Sequence, residues 1–481
     1  MKKNKFIFII PLLASTILFS CNENKGNVSS NSSAGPTSEV RDPKTIYTSP
    51  DGDVEASGTI DDPIELNKAF ANLVAGDTLI FKNGTYKTIS RLLSKDGQTG
   101  TEDRPITLKA ETNGEVIIDF TGMAFGSTNR GIQIGSDYWI IDGLIVKGAG
   151  DNGIYIGGSH NIVRNCEVYN CMDSGIQLGR ANSSQQTITD WPSYNLIENC
   201  TSHDNADPNG EDSDGFACKL TTGIGNVFKG CIAYNNIDDG WDLYTKADSG
   251  AIGWVTLEDC VAFNNGITST GIGKDSSDGN GFKLGGESIS VQHVVKNCIA
   301  FNNLAHGFTD NSNPGPIWLE NCTSFNNSVR EVDANNIDLC REVSTSNGNY
   351  FKNVLSFSTG DHVKTGHWEK DAANSTDQYY GSATHSIFYS GLSMHYIEGP
   401  DKCDYTNPQY YGKLYESEVS PFVSIEVPNT EKEAGSDTMN YTFLRDENHN
   451  VNLGDFLKIN PSSPFYKLGE NNTPIGANLH K

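Results

Sequence analysis

Between residues 212 and 283 the chain gathers five aspartates and a lysine within a repeating glycine frame: Asp212, Asp214-Gly215-Phe216, Asp238-Asp239-Gly240-Trp241-Asp242 and Asn280-Gly281-Phe282-Lys283. If these glycines stack in register, Asp214 lies one rung from Asp238 and Asp239, Asp242 follows on the same strand, and Lys283 falls in the column of Asp242. Unpaired carboxylates about 5 Å apart repel one another, and a divalent cation reverses that repulsion. The stacked set of Asp212, Asp214, Asp238, Asp239 and Asp242 therefore predicts a Ca²⁺ ion bound by hard oxygen ligands. One Asp-Asp pair alone would read as a solvated acidic turn.

A lone lysine usually faces solvent, but Lys283 stands beside this predicted cation in a glycine-rich setting. A neighbouring cation and partial burial both disfavour the ammonium form, so the sequence predicts a lowered pKa and a general base. In a uronic acid polymer the C5 proton is α to a carboxylate. Neutralising that carboxylate stabilises the developing anion while an uncharged amine removes the proton, and loss of the C4 oxygen breaks the chain. The formal net charge of -25 excludes a nucleic-acid-binding surface and a basic membrane-surface helix. An acidic protein that binds a polyanion needs a metal ion or concentrated Lys and Arg, and the aspartate set supplies the former.

The elements that would position these groups are written as a repeat. Asn165-Cys166, Asn199-Cys200, Gly230-Cys231, Asp259-Cys260, Asn297-Cys298 and Asn321-Cys322 each open a segment of the form Cys-x-small-aromatic-Asn, with Asp204 for Asn in one and Val168 at a small position in another. The Cys positions are 34, 31, 29, 38 and 24 residues apart, so loops of variable length interrupt a constant strand core. Period-two alternation stacked in parallel gives an internal Cys column, explained as small hydrophobes without disulfides, and an Asn column bonding along the turns. A second column, Gly153, Gly175, Gly215, Gly240, Gly281 and Gly307, is expected to permit the bend between sheets. With 49 Gly and a hydrophobic fraction of 36%, the chain reads as all-β, a parallel β-helix solenoid of many short strands.

The ends read as caps and an address. Asp61-Asp62-Pro63, then Ile64, Leu66, Ala69, Phe70 and Leu73, predict a short N-terminal capping helix with an Asp N-cap and Pro in its first turn. Gly76–Phe81 is expected to begin the first coil, and Ser463-Pro464 through Ile475-Gly476-Ala477 to form a closing coil. Lys2, Lys3 and Lys5 before the apolar run Phe6–Phe19 read as an export signal, and Leu18-Phe19-Ser20-Cys21 resembles the lipobox of bacterial lipoproteins. That resemblance implies lipidation at Cys21 and an outer-membrane anchor, or simple secretion if the Cys is incidental. The expected organisation is a signal peptide over 1–21, a linker over 22–44 and one β-helix domain over 45–481. Its regular coils run from about 77 to 360, with less regular coils and loops over 361–481.

The motifs quoted above, with Ala217-Cys218-Lys219, Gly225-Asn226-Val227-Phe228-Lys229-Gly230-Cys231 and Leu284-Gly285-Gly286, resemble those of polysaccharide lyase family 9, the pectate and rhamnogalacturonan lyases. The similarity spans roughly residues 45 to 360 and is strongest from 199 to 328. It implies a right-handed parallel β-helix, Ca²⁺ on Asp214, Asp238, Asp239 and Asp242, and Lys283 as the Brønsted base. It also implies Lys219 as a contact to a substrate carboxylate, and pectin, an acidic plant polysaccharide, as the partner of a monomeric enzyme. Cys218 stands where the pattern has Ala.

Two other readings compete. An inverting polygalacturonase-type hydrolase would use paired carboxylates, with Asp238-Asp239 and His306-Gly307 as its residues, but its Gly-His-Gly and Arg-Ile-Lys motifs are missing here and Lys283 would be idle. A non-catalytic glycan-binding solenoid is the third, since fold alone does not fix function.

Overall fold

The computed structural model describes residues 41–329, 335–341, 348–359, 377–389, 394–404, 419–427 and 444–480. Contacts divide the chain into Met1–Asp42 and Pro43–Lys481. The expected signal, the lipidation at Cys21 and most of the expected linker lie outside the described residues.

The described residues from 43 onward form a parallel β-helix whose turns each contribute one strand to three stacked sheets. In one turn, Ile162–Arg164 lies in the first sheet, Glu167–Tyr169 in the second and Ile176–Leu178 in the third; each pairs in parallel with the corresponding strand of the next turn, Leu196–Glu198, Thr201–His203 and Phe216–Cys218. The ladder starts one rung earlier than expected, because Thr45–Asp53 pairs in parallel with Thr78–Phe81.

The Asn-Cys dipeptide is the corner between the first and second sheets. Asn165, Asn199, Gly230, Asp259, Asn297 and Asn321 all adopt positive φ, between 52° and 61°, which Asn, Asp and Gly tolerate best. The Cys that follows is fully buried, and Cys166, Cys200, Cys231, Cys260, Cys298 and Cys322 are free thiols in the apolar interior, as the ladder reading required.

The asparagine column divides its labour in a way the repeat did not reveal. Asn170, Asn235, Asn264, Asn302 and Asn326 supply positive φ at the next corner. The hydrogen-bonded ladder belongs to the residue after, running Asn205, Asn236, Asn265, Asn303 and Asn327, with each Nδ2 donating to the next Oδ1 at 2.8–3.0 Å. Asn265→Ala is expected to destabilise the fold by about 3 kcal/mol, because buried donors on Asn236 lose their acceptor. Chemical denaturation checks this, and a shift below about 0.5 kcal/mol would contradict the ladder's role.

The glycine column serves close approach. Gly240 has no left-handed φ; a Cβ there would meet the Gly281 carbonyl oxygen at 2.6 Å and Asn265 Nδ2 at 2.9 Å. These are therefore places where neighbouring rungs leave no room for a side chain, which corrects the expectation of a bend.

The capping helix runs from Leu66 to Ala71, later than expected, with Glu65 as its N-cap accepting from the amides of Asn67 and Lys68. Asp62 is already engaged, its carboxylate accepting from Ser57 N at 2.7 Å to hold the preceding turn. The predicted apolar face is correct: Leu66, Ala69, Phe70 and Leu73 join the interior core, with the Phe70 ring 5.6 Å from that of Trp139.

At the other end the expected closing coil is replaced by a strap. The stack ends in antiparallel pairings, Gln378–Thr384 with Asp401–Asp404 and Ser386–Tyr389 with Met394–Ile397. Residues near 420 and from 444 to 479 run across the outer face of the second sheet. There Tyr169, His203, Tyr234, Phe263 and Phe301 stack ring on ring at 4.6–5.0 Å. Phe456 meets Phe301 edge-on at 4.7 Å, Phe422 meets Phe325 and Phe357 at 5.5 and 5.3 Å, and Arg445 donates to the Cys200 and Gly230 carbonyls. An aromatic column facing outward needs such a cover, or its apolar area would stay in water.

Candidate active site

The site lies on the outer face of the third sheet, and the interior fixes its register. Phe216, Trp241 and Phe282 stack inside the solenoid with centroids 4.7 and 4.8 Å apart. Their successors Ala217, Asp242 and Lys283 consequently pair rung to rung on the outer face, as the glycine alignment predicts. On the approach to each strand, Gly215 N donates to Asp239 O and Gly240 N to Asn280 O, both at 2.9 Å. Asp214, Asp239 and Asn280 therefore stand in one column. Asp214 Oδ1 accepts from Asp239 N at 3.3 Å, and Asp239 Oδ1 accepts from Asn280 N and Nδ2 at 2.7 and 2.9 Å.

Asp214, Asp238 and Asp239, all buried, bring one carboxylate oxygen each within 4.8 Å of one another. Asp242 stands beside this trio, not in it: its Oδ2 faces Lys219 Nζ at 3.1 Å and its Oδ1 accepts from Tyr244 N at 2.9 Å. Lys219 is buried between Asp242 and Asp214, 2.8 Å from Asp214 Oδ2. In this arrangement it balances internal charge. Asp212 is exposed on the rim and offers its backbone carbonyl to the Ser174 hydroxyl.

Lys283 Nζ lies 3.2 Å from Asp239 Oδ2 and 2.7 Å from Asp278 Oδ2. Burial works to lower its pKa, but Asp239, Asp242, Asp278 and Asp238 outweigh burial and hold it well above the usual lysine range. The expected lowering is thus reversed in the protein without a cation, because the surrounding carboxylates stabilise the ammonium form. Burial also pushes the acids up: Asp214 to about 7, Asp239 to about 8 and Asp238 well above its ordinary value.

Two participants were not legible in the repeat. Asp278 sits three residues before Gly281, whereas Asp238 sits two before Gly240, so glycine alignment skips it. Its amide donates to Asp238 Oδ1 at 2.6 Å, which ties the loop before Asn280 to the acidic trio. Tyr244 places its ring centroid 5.7 Å from Lys283 Nζ, packs against Gly286, and donates its hydroxyl to Glu287 at 3.1 Å. The Gly285-Gly286 pair was the available signal, since Gly286 has no side chain where the Tyr244 ring lies. Cys218 faces the interior and does not touch the site.

The donor set fits a hard divalent cation. Among the described residues Asp239 Oδ2 is buried without a well-directed hydrogen bond, and the Lys283 ammonium lies 3.2 Å from it. Burial makes these three converging carboxylates costly to ionise without a compensating positive charge, and all their donor atoms are oxygen.

Residues 46–353 match the model of the Pel9A-like right-handed β-helix region. A pectate lyase L of Paenibacillus polymyxa is 48% identical over 283 residues, 59% of this chain and 63% of that protein. Pectate lyase PEL9 of Emericella nidulans is 34% identical over 326 residues, 59% of this chain and 73% of that protein. The match thus spans just under two thirds of the Paenibacillus protein, and 22% of a longer pectate lyase L from Thermoclostridium stercorarium. Among solved structures, pectate lyase Pel9A aligns with a TM-score of 0.68 at 23% identity, covering 92% of this chain and 97% of that one, a likeness of fold. With the family model matched over residues 46–353 and a 34%-identical relative covered over 73% of its length, the chain belongs to the Pel9A-like β-helix family, polysaccharide lyase family 9.

Proposed function

We propose that this protein is a calcium-dependent pectate lyase that cleaves a galacturonate-containing backbone by β-elimination with Lys283 as the base. The observation that carries the reading is the adjacency of Lys283, at 3.2 Å from Asp239, to three buried carboxylates whose oxygens lie within 4.8 Å. Asp214, Asp238 and Asp239 would hold the cation, with Asp242 next to them as the fourth carboxylate of the set. Bound Ca²⁺ supplies positive charge against the uronate carboxylate α to the C5 proton. The carboxylates that hold Lys283 protonated are the ones such a charge offsets, which brings the amine toward the neutral form a base requires.

Uncharged Lys283 Nζ takes the C5 proton. The C–H electron pair becomes the C4–C5 double bond, the C4–O bond breaks, and the departing oxygen takes a proton from a water whose hydroxide is afterwards neutralised by the proton on Lys283. The ammonium left on Lys283 is received by Asp239 and Asp278, both within ion-pair distance. Homogalacturonan and rhamnogalacturonan I both offer the required uronate. Purified protein should generate an ultraviolet-absorbing unsaturated product from at least one of them with calcium present. Reducing ends released without that chromophore would favour hydrolysis and overturn the reading.

A further inference from the structure

The outer column that carries Asp242 and Lys283 continues toward the N-terminal rungs as Ala217, Gln177, Tyr155 and Gln133, one residue per rung. Tyr155 is three rungs from Asp242, about 14 Å at ~4.8 Å per rung. Around it Asp151 and Asp173 are met by three arginines, Arg91, Arg130 and Arg180. The Arg130 guanidinium carbon lies 3.5 Å over the Tyr155 ring centroid, with Nε bonded to Asp151 Oδ2 at 3.1 Å. Arg91 donates to Gln133 Oε1 at 2.7 Å, and the Tyr155 hydroxyl donates to the backbone carbonyl of Arg180, whose side chain is exposed.

We propose that Arg91, Arg130 and Arg180 form a distal subsite for a uronate carboxylate of the same polymer, several sugar units from the bond that breaks. Arg91 and Arg130 meet here and the charge of Arg180 also reaches Tyr155, against Asp151, which pairs with Arg130, and Asp173, in a chain of net charge -25. Among the described residues neither Arg91 nor Arg180 makes an ion pair, and Arg91 feels both the opposing charge of Arg130 and the attraction of Asp151. Like charges held together on one stretch of surface are relieved by an anion. The guanidinium fork matches a carboxylate in particular, and Tyr155 fixes the plane of Arg130 beneath it. A polymer laid along the column would thus meet positive charge at both the cation site and the distal arginines.

This inference rests on the polyuronate reading above. Its test is the double variant Arg91→Ala/Arg180→Ala, assayed on polygalacturonate and on a short oligogalacturonate. The ratio of kcat/KM for polymer over oligomer should fall about tenfold, mainly through the polymer's KM, the size expected for a lost charge-assisted contact. Arg91→Lys/Arg180→Lys should recover part of it, and Arg164→Gln, on a different sheet, should leave the ratio alone. Equal losses on both substrates, or none on the polymer, would overturn the subsite. Retardation in native gels containing polygalacturonate judges it without turnover: the wild type should be held back more than the double variant, and equal mobility sinks it. A wild type with no chromophore on any pectin, yet retarded more than its variant, would instead remove the lyase reading and keep the subsite.

Discussion

Lys283→Ala is expected to lower kcat on its pectin substrate by about 10³-fold, the scale of a lost general base, with a much smaller change in KM. The reason is positional: Lys283 is the amine on the outer column next to Asp242, and its Nζ reaches the edge of the acidic trio at Asp239. Arginine in its place should not restore activity, since a guanidinium does not lose its proton at working pH. Removing the ammonium also leaves Asp239 and Asp278 with one cation fewer, so the variant should bind calcium at least as tightly as the parent. A variant that turned over at near wild-type rate would end the elimination mechanism. One that lost calcium binding along with activity would reduce Lys283 to a structural role.

Calcium should stabilise the fold, and more strongly as pH rises. Burial raises Asp239 from 3.8 to about 8 and Asp214 to about 7. Between the unfolded and folded values the native protein keeps protons that the unfolded chain releases. The cation-free protein therefore loses stability as pH climbs from about 4 to about 8, the sign that a raised carboxylate pKa dictates. Lys283 acts above this window: its folded pKa is also raised, so its contribution is present through neutral pH and is lost only in strongly alkaline solution. A cation that displaces the protons makes up the deficit, so the gain in Tm on adding calcium should be larger at pH 8 than at pH 5. Asp239→Asn should remove most of that gain and most of the turnover, and a chelator should silence the wild type. A calcium shift independent of pH, or intact in Asp239→Asn, would place the cation elsewhere.

The two experiments also bear on why the bare site has this charge pattern. Four buried carboxylates, Asp214, Asp238, Asp239 and Asp242, with the exposed Asp278 beside them, meet two ammonium groups, Lys219 and Lys283. Buried acids in excess of buried bases are costly unless protonated or bound, so the protein is arranged for a positive ligand. Lys219, which the family resemblance assigns to a substrate carboxylate, is held by Asp214 and Asp242 here. Any contact with substrate would need a cation to draw those acids away.

What the sequence alone determined is the arithmetic of the coils. In a solenoid each rung lies beside the next, so a glycine or Cys column read from the chain is already a spatial column; Asp242 falls beside Lys283 and Asp214 next to Asp239 for that reason. The outward carboxylates and the lysine among them were legible because period-two strands on a packed aromatic stack leave no other face for them. Only the tertiary structure decided what breaks the period. Asp278 arrives on a loop insertion, the strap covers the outward aromatic ladder from far along the chain, and Lys219 turns to Asp242 on the next rung. Contacts made across variable loops carry no repeat to read, and the sign of the Lys283 shift depends on how many carboxylates those loops bring within reach.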